Sequence, residues 1–140
     1  MTLLEIIQTI KEVALSQPNV NAFSEGSIYD YMNANSSISY SVVFLTQQTH
    51  RETEGFMHYS FYIFYCDRLQ SDLDSDRALI QSTGLRVLSN IIRTVCDNLD
   101  IEVPDVTYIP YTQRFVDEVA GVYASVEFTV PIDDICAEAY

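Results

Sequence analysis

Two histidines and two carboxylates fall close together at His50, Glu52, Glu54 and His58. Imidazole nitrogens and carboxylate oxygens are the donor types that hold zinc and other divalent metals, yet this spacing matches no defined metal motif. The stretch is polar and is followed by a strongly aromatic run, so it reads as the solvated tip of a long hairpin whose register the sequence leaves open. A second series, Asp72, Asp74 and Asp76, has the alternation that opens an EF-hand calcium loop. Such a loop needs glycine at its sixth position and a bidentate glutamate at its twelfth, and Arg77 and Thr83 stand there instead. The acids are better read as helix caps. Cys66, Cys96 and Cys136 are odd in number and widely spaced, which fits neither a zinc site nor a disulfide framework, so reduced and mostly buried thiols are expected. No nucleophile elbow, zincin or phosphate-loop pattern occurs. The expectation is a protein that is not an enzyme and uses no cofactor or metal.

The elements that hold these residues are legible in the apolar pattern. From Asp76 to Leu99, residues Leu79, Ile80, Val87, Leu88, Ile91, Ile92, Val95 and Leu99 recur at the steps of one helical face. A helix of that length is about 35 Å long, enough for the remaining elements to pack along it. Gly84 interrupts the stripe and predicts a close crossing, since glycine costs a helix about 1 kcal/mol relative to alanine. Thr2 and Glu5 form a capping-box pattern ahead of a second amphipathic helix that ends near Ser16 and is stopped by Pro18. Residues 19–26 read as polar and turn-forming, Ser27–Met32 as a short strand and Asn33–Ser37 as a turn. Ile38–Thr46 and Phe56–Cys66 read as buried strands joined by the polar excursion at 47–55. Met57, Tyr59, Phe61, Ile63 and Tyr65 fall on one face of the aromatic strand, and Phe56, His58, Ser60, Tyr62 and Phe64 on the other. Both faces are too apolar for water, so one is assigned to the long helix and the other to the first helix or to another subunit. Val106–Tyr111 is a strand marked as an edge or bulge by Pro110, and Ala120–Val130 alternates as the last strand, ended by Pro131. The resulting reading is α+β in the order αβββαββ, an antiparallel or mixed sheet packed on one long and one shorter helix. Residues 1–140 are taken as a single domain with an arm over residues 132–140.

Charge narrows the function classes. The chain of 140 residues carries a net charge of −13, and residues 100–140 hold nine acids against Arg114 alone. Grip on nucleic acid comes largely from Lys and Arg displacing phosphate counterions, so tight or sequence-specific DNA binding is excluded and so is an anionic membrane. The N-terminal apolar residues are interrupted by Glu5, Lys11 and Glu12, which suits neither a signal peptide nor a span, and a cytoplasmic place of synthesis is expected. Ten tyrosines without a tryptophan fit either a core or an interface, because a ring with a polar tip tolerates half-burial.

Two stretches carry a more specific likeness. Cys66-Asp67-Arg68-Leu69 with Asp72, Asp76-Arg77 and the long helix resembles neck and tail proteins of tailed bacteriophages, especially those of Bacteroides-type hosts. So does Arg114-Phe115-Val116-Asp117 followed by Ala120-Gly121-Val122 and the strand ending at Val130-Pro131. The element order is similar to that of tail terminator and tail-completion proteins. This resemblance implies a structural virion subunit that forms a six- or twelve-fold ring in the head-tail connector, lines a DNA conduit and meets other neck and tail proteins. An acidic wall would let the genome slide past. Subunit contacts are then expected from Arg51 and Glu54 at the hairpin tip, from Tyr59, Tyr62 and Tyr65 on the aromatic strand, and from Arg86 and Arg93 on the helix. Arg114 and Phe115 in the second matching stretch, and Asp133, Asp134 and Tyr140 in the arm, complete the set. The competing readings are an acidic secretion chaperone that dimerises around an effector segment and an acidic mimic of DNA.

Overall fold

The computed structural model describes residues 2–34, 39–69, 74–114 and 118–132. It has mixed α and β content, with three helices against a mixed sheet of six strands. The elements are α1 (Leu3–Ser16), β1 (Ala22–Glu25), α2 (Ile28–Ala34), β2 (Val42–Gln47), β3 (Arg51–Thr53), β4 (Phe56–Arg68), α3 (Asp74–Leu99), β5 (Thr107–Arg114) and β6 (Glu118–Pro131). In the sheet the order is β1-β2-β4-β6-β5, with β3 beside β4. Among the described residues only β1 and β2 run parallel; the other pairs are antiparallel. No helix of the described residues is long and apolar enough to cross a membrane.

α1 forms for the reason its sequence predicts. Thr2 Oγ1 accepts the Glu5 N–H at 3.2 Å, and Ile6, Ile10, Val13 and Ala14 make one buried stripe. That stripe joins Val87, Leu88, Ile91, Ile92 and Val95 of α3 over the sheet residues Val43, Leu45, Phe61, Ile63, Ala124 and Phe128. α1 and α3 therefore cover the same sheet face. Gly84 is the predicted close crossing: a Cβ there would lie 2.6 Å from a Val122 methyl and 2.8 Å from the Tyr65 ring. α3 ends in a Schellman turn, in which Ile101 N–H reaches the Cys96 carbonyl at 3.0 Å and Asp100 N–H the Asp97 carbonyl at 3.2 Å. Asp100 takes the left-handed position with φ of 56°, where glycine is usual.

The order differs from the sequence reading at three places, one being β3, three residues paired with β4 inside the expected polar excursion at 47–55. Ser27–Met32 is not a strand, because Ser27 caps α2: its carbonyl accepts Tyr31 N–H at 3.1 Å, and its hydroxyl accepts Asp30 N–H at 3.4 Å. Ile28 and Met32, one helical turn apart, are the buried pair. The strand is instead β1, inside the polar stretch, where the parallel partner β2 supplies the hydrogen bonds that its composition does not advertise. The observed order is αβαβββαββ. β2 also starts at Val42, later than expected; Ile38 lies outside the described residues. Pro110 does sit on an edge strand, since β5 ends the sheet.

The second sheet face is not covered by the first helix. α2 packs over one end of it, where Ile28 and Met32 meet Val42, Phe44, Cys66 and Val119 in a smaller core.

Candidate functional site

On that second face, strand register assembles a polar cluster from residues far apart in sequence. β3 places Arg51 across from His58, and β6 places Glu127 across from Ser60 and Thr129 across from His58. The Arg51 guanidinium donates to both Glu127 carboxylate oxygens at 3.0 and 3.3 Å, and the Ser60 hydroxyl donates to Oε2 at 3.2 Å. His58 lies between two hydroxyls, Thr53 at 2.7 Å and Thr129 at 2.9 Å, with its Nδ1 3.4 Å from Glu127. Donation by Arg51 is the main reason the Glu127 carboxyl is held below its usual value; the Ser60 hydrogen bond and the charges of Arg51 and His58 add to it, against partial desolvation. His50 belongs to the other side of the sheet, against the Tyr59 and Phe61 rings. Its Nδ1 accepts Ser60 N–H at 3.2 Å, so its proton sits on Nε2, facing Gln47 Oε1 at 3.0 Å.

This arrangement suits a clasp joining β3, β4 and β6. A carboxylate stabilised as the anion is a poor base for the neighbouring Ser60 hydroxyl, and its oxygens already accept three hydrogen bonds. The structure does not bring the hairpin-tip residues together: His50 and His58 are on opposite sides of the sheet, Glu52 and Glu54 are exposed, and no group of three or more ligating side chains converges among the described residues. Of the aspartate series, Asp72 lies outside the described residues, while Asp74 and Asp76 stand in the first turn of α3. The two described cysteines are buried, and burial pushes the Cys66 thiol up to about 12 and Cys96 to about 11.

Beyond the clasp the same face turns aromatic. Phe64 and Tyr123 stack with centroids 4.9 Å apart, Tyr62 meets Tyr123 at 5.2 Å, and Tyr111 meets Phe64 at 6.0 Å. Tyr62, Phe64 and Tyr123 are half-buried. Tyr111 donates to the Tyr65 carbonyl at 3.1 Å, and burial, with the adjacent Cys66, holds its hydroxyl well above the usual phenol range. Tyr65 donates to the Ser41 hydroxyl at 2.9 Å.

No model of a known protein family matches the chain, and no curated protein matches it either.

The expected contact residues divide accordingly. Tyr62 faces the open aromatic surface, but Tyr59 and Tyr65 do not: they are 7% and 2% exposed, inside the core beneath α1 and α3, and cannot meet a neighbour. Period-two alternation put Tyr62 opposite to them, and the helix layer took their side. Arg51 is engaged by Glu127, Glu54 is exposed in the turn before β4, and Arg86 and Arg93 are exposed on α3. Arg114 is the last residue of β5, its backbone in register with Glu118 of β6. Phe115, Asp133, Asp134, Tyr140 and Cys136 lie outside the described residues. Sequence reasoning did not single out Glu127, Thr129 or Tyr123. Their outward parity on the last strand was visible, but the register that sets them beside His58, Ser60 and Phe64 was not.

Proposed function

We propose that the chain is a structural, non-catalytic subunit that assembles with copies of itself into a ring of the phage portal-to-tail connector, six- or twelve-fold, around passing DNA. The observation that supports this reading is apolar surface left uncovered on two separate sides. On the helix side, Leu79 is 66% and Leu85 43% exposed; on the opposite side, Tyr62, Phe64 and Tyr123 form a half-buried aromatic sheet surface. A subunit held between two neighbours needs two such surfaces, whereas a two-fold pair needs one. The net charge of −13 suits a wall that phosphate slides past. The likeness of Cys66-Asp67-Arg68-Leu69 and of the stretch from Arg114 to phage neck and tail proteins supplies the setting.

The aromatic sheet surface also favours a second reading, a chaperone that dimerises and holds an extended client segment. The two readings separate in purified tailed-phage particles of the source phage. Peptides of this chain recovered there in multiples of six per portal support the ring subunit. Their absence from the particles contradicts it.

A further inference from the structure

Two patches of this surface are opposite in chemistry and adjoin at Arg93, which borders Val103 and Asp105 of the loop after α3. One is the outward side of α3. Leu79, Arg86 and Arg93 follow at seven-residue intervals and so lie along one line of the helix, with the exposed Leu85 beside Arg86. Between residues 77 and 96 this helix holds three arginines and no acid, in a chain of net charge −13. Neither Arg86 nor Arg93 forms an ion pair among the described residues. The other patch is a groove of about 470 Å³ where the loop after α3 meets the start of β4 and the end of β6. Phe56, 44% exposed, and Val103, 55% exposed, line it together with Ile101 and Pro131, and Asp100 and Glu102 stand at it with exposed carboxylates. Glu127 borders it too, but Arg51 already holds that charge.

An apolar groove edged by unspent carboxylates fits an apolar side chain next to a cation. Leu79 and Arg86, two turns apart on one line of a rigid helix, supply both, and the exposed Leu85 flanks them about 100° round from Arg86. We infer that the groove of one copy receives the Leu79, Leu85 and Arg86 shoulder of α3 from a second copy. The leucines lie on Phe56 and Val103, and the guanidinium meets Glu102 and Asp100. Within one chain Arg86 is about 20 Å along the helix from the groove, so a copy cannot fill its own. The contact joins two different patches and leaves one of each free on every pair, which is the condition for a ring or filament rather than a closed dimer. This inference rests on the ring reading; it gives the helix-side surface its partner within the ring and leaves the Tyr62, Phe64 and Tyr123 surface outside this contact.

The test is the light-scattering mass of the full chain across a concentration series, for wild type, Arg86→Glu, Glu102→Arg and the two together. Both side chains are exposed, so all variants are expected to keep the wild-type circular dichroism. Each single change should weaken association at least tenfold, and the combined swap should bring it back to within about threefold of wild type. Leu85→Ser, which touches no charge, should also weaken association, and Arg86→Gln stands in if Arg86→Glu loses its fold. A multi-copy wild type whose mass ignores Arg86 and Glu102, or a swap that restores nothing, overturns this contact and leaves the ring standing. A wild type that stays monomeric at every concentration overturns both.

Discussion

Glu127 shows how a single side chain on this surface is held. Its carboxyl sits below the ordinary value because Arg51 and Ser60 bind the anion, so its contribution to stability is full above the ordinary value of 4.5 and is lost as pH falls below that through the lowered folded value. Both members of the Arg51 pair are well exposed, at 55% and 37%, which keeps the contribution within about 1 kcal/mol. Glu127→Gln should therefore lower the urea midpoint slightly at pH 7, and the gap to wild type should narrow as the pH is taken below 4.5. A gap that widens on acidification would contradict the assignment. The cysteines make a second residue-scale prediction. With thiols pushed up to about 12 and 11, the thiolate fraction at pH 8 is about one in ten thousand at Cys66 and one in a thousand at Cys96. Iodoacetamide should leave both unlabelled in the folded chain and label both in urea, as read by peptide mass spectrometry.

Among the elements, β4, β6 and α3 form a three-way crossing that tolerates little added volume. A Cβ at Gly121 would collide with the Tyr65 backbone carbonyl and come within 2.9 Å of the Tyr111 hydroxyl, whereas at Gly84 it meets the Val122 and Tyr65 side chains. Side chains can give way and a sheet backbone gives less. Gly121→Ala should cost about 3 kcal/mol or more, a melting drop of roughly 10 °C, and Gly84→Ala about 1–2 kcal/mol after its gain in helix propensity. The opposite ranking would mean that the crossing is set elsewhere. At the end of α3, Asp100→Gly should raise the unfolding free energy by about 0.5–1 kcal/mol, read as a higher denaturant midpoint, because glycine takes the left-handed Schellman position without strain. These elements were legible in proportion to their length. α1, α3, β4 and β6 each repeat one period over ten or more residues, so Leu3–Ser16 and the two faces of the aromatic strand were readable directly. Ser27–Met32 was not, since Ile28, Tyr29 and Tyr31 have strand composition and only the one-turn spacing of Ile28 and Met32 betrays the helix. β1 is four residues long and depends on a parallel partner, and the Arg51–Glu127–His58 clasp depends on a register that no single strand encodes.

For the whole molecule, the placement of two helices on one sheet face decides what the other face does. The sequence demanded cover for both faces of β4 and left open whether the first helix or another subunit would supply the second. α1 joins α3, α2 takes the end near Val42 and Cys66, and Tyr62, Phe64 and Tyr123 keep partial exposure. Excess acid belongs at this scale also. With a net charge of −13, the chain should not retard duplex DNA in a mobility-shift assay at physiological salt, and retention there would contradict a conduit wall. The central claim is head-to-tail assembly through two unlike surfaces, and native mass spectrometry of the purified full chain tests it most directly. The account predicts a closed species of six or twelve copies of the 16.0 kDa chain. A monomer or a simple dimer at every concentration would contradict it.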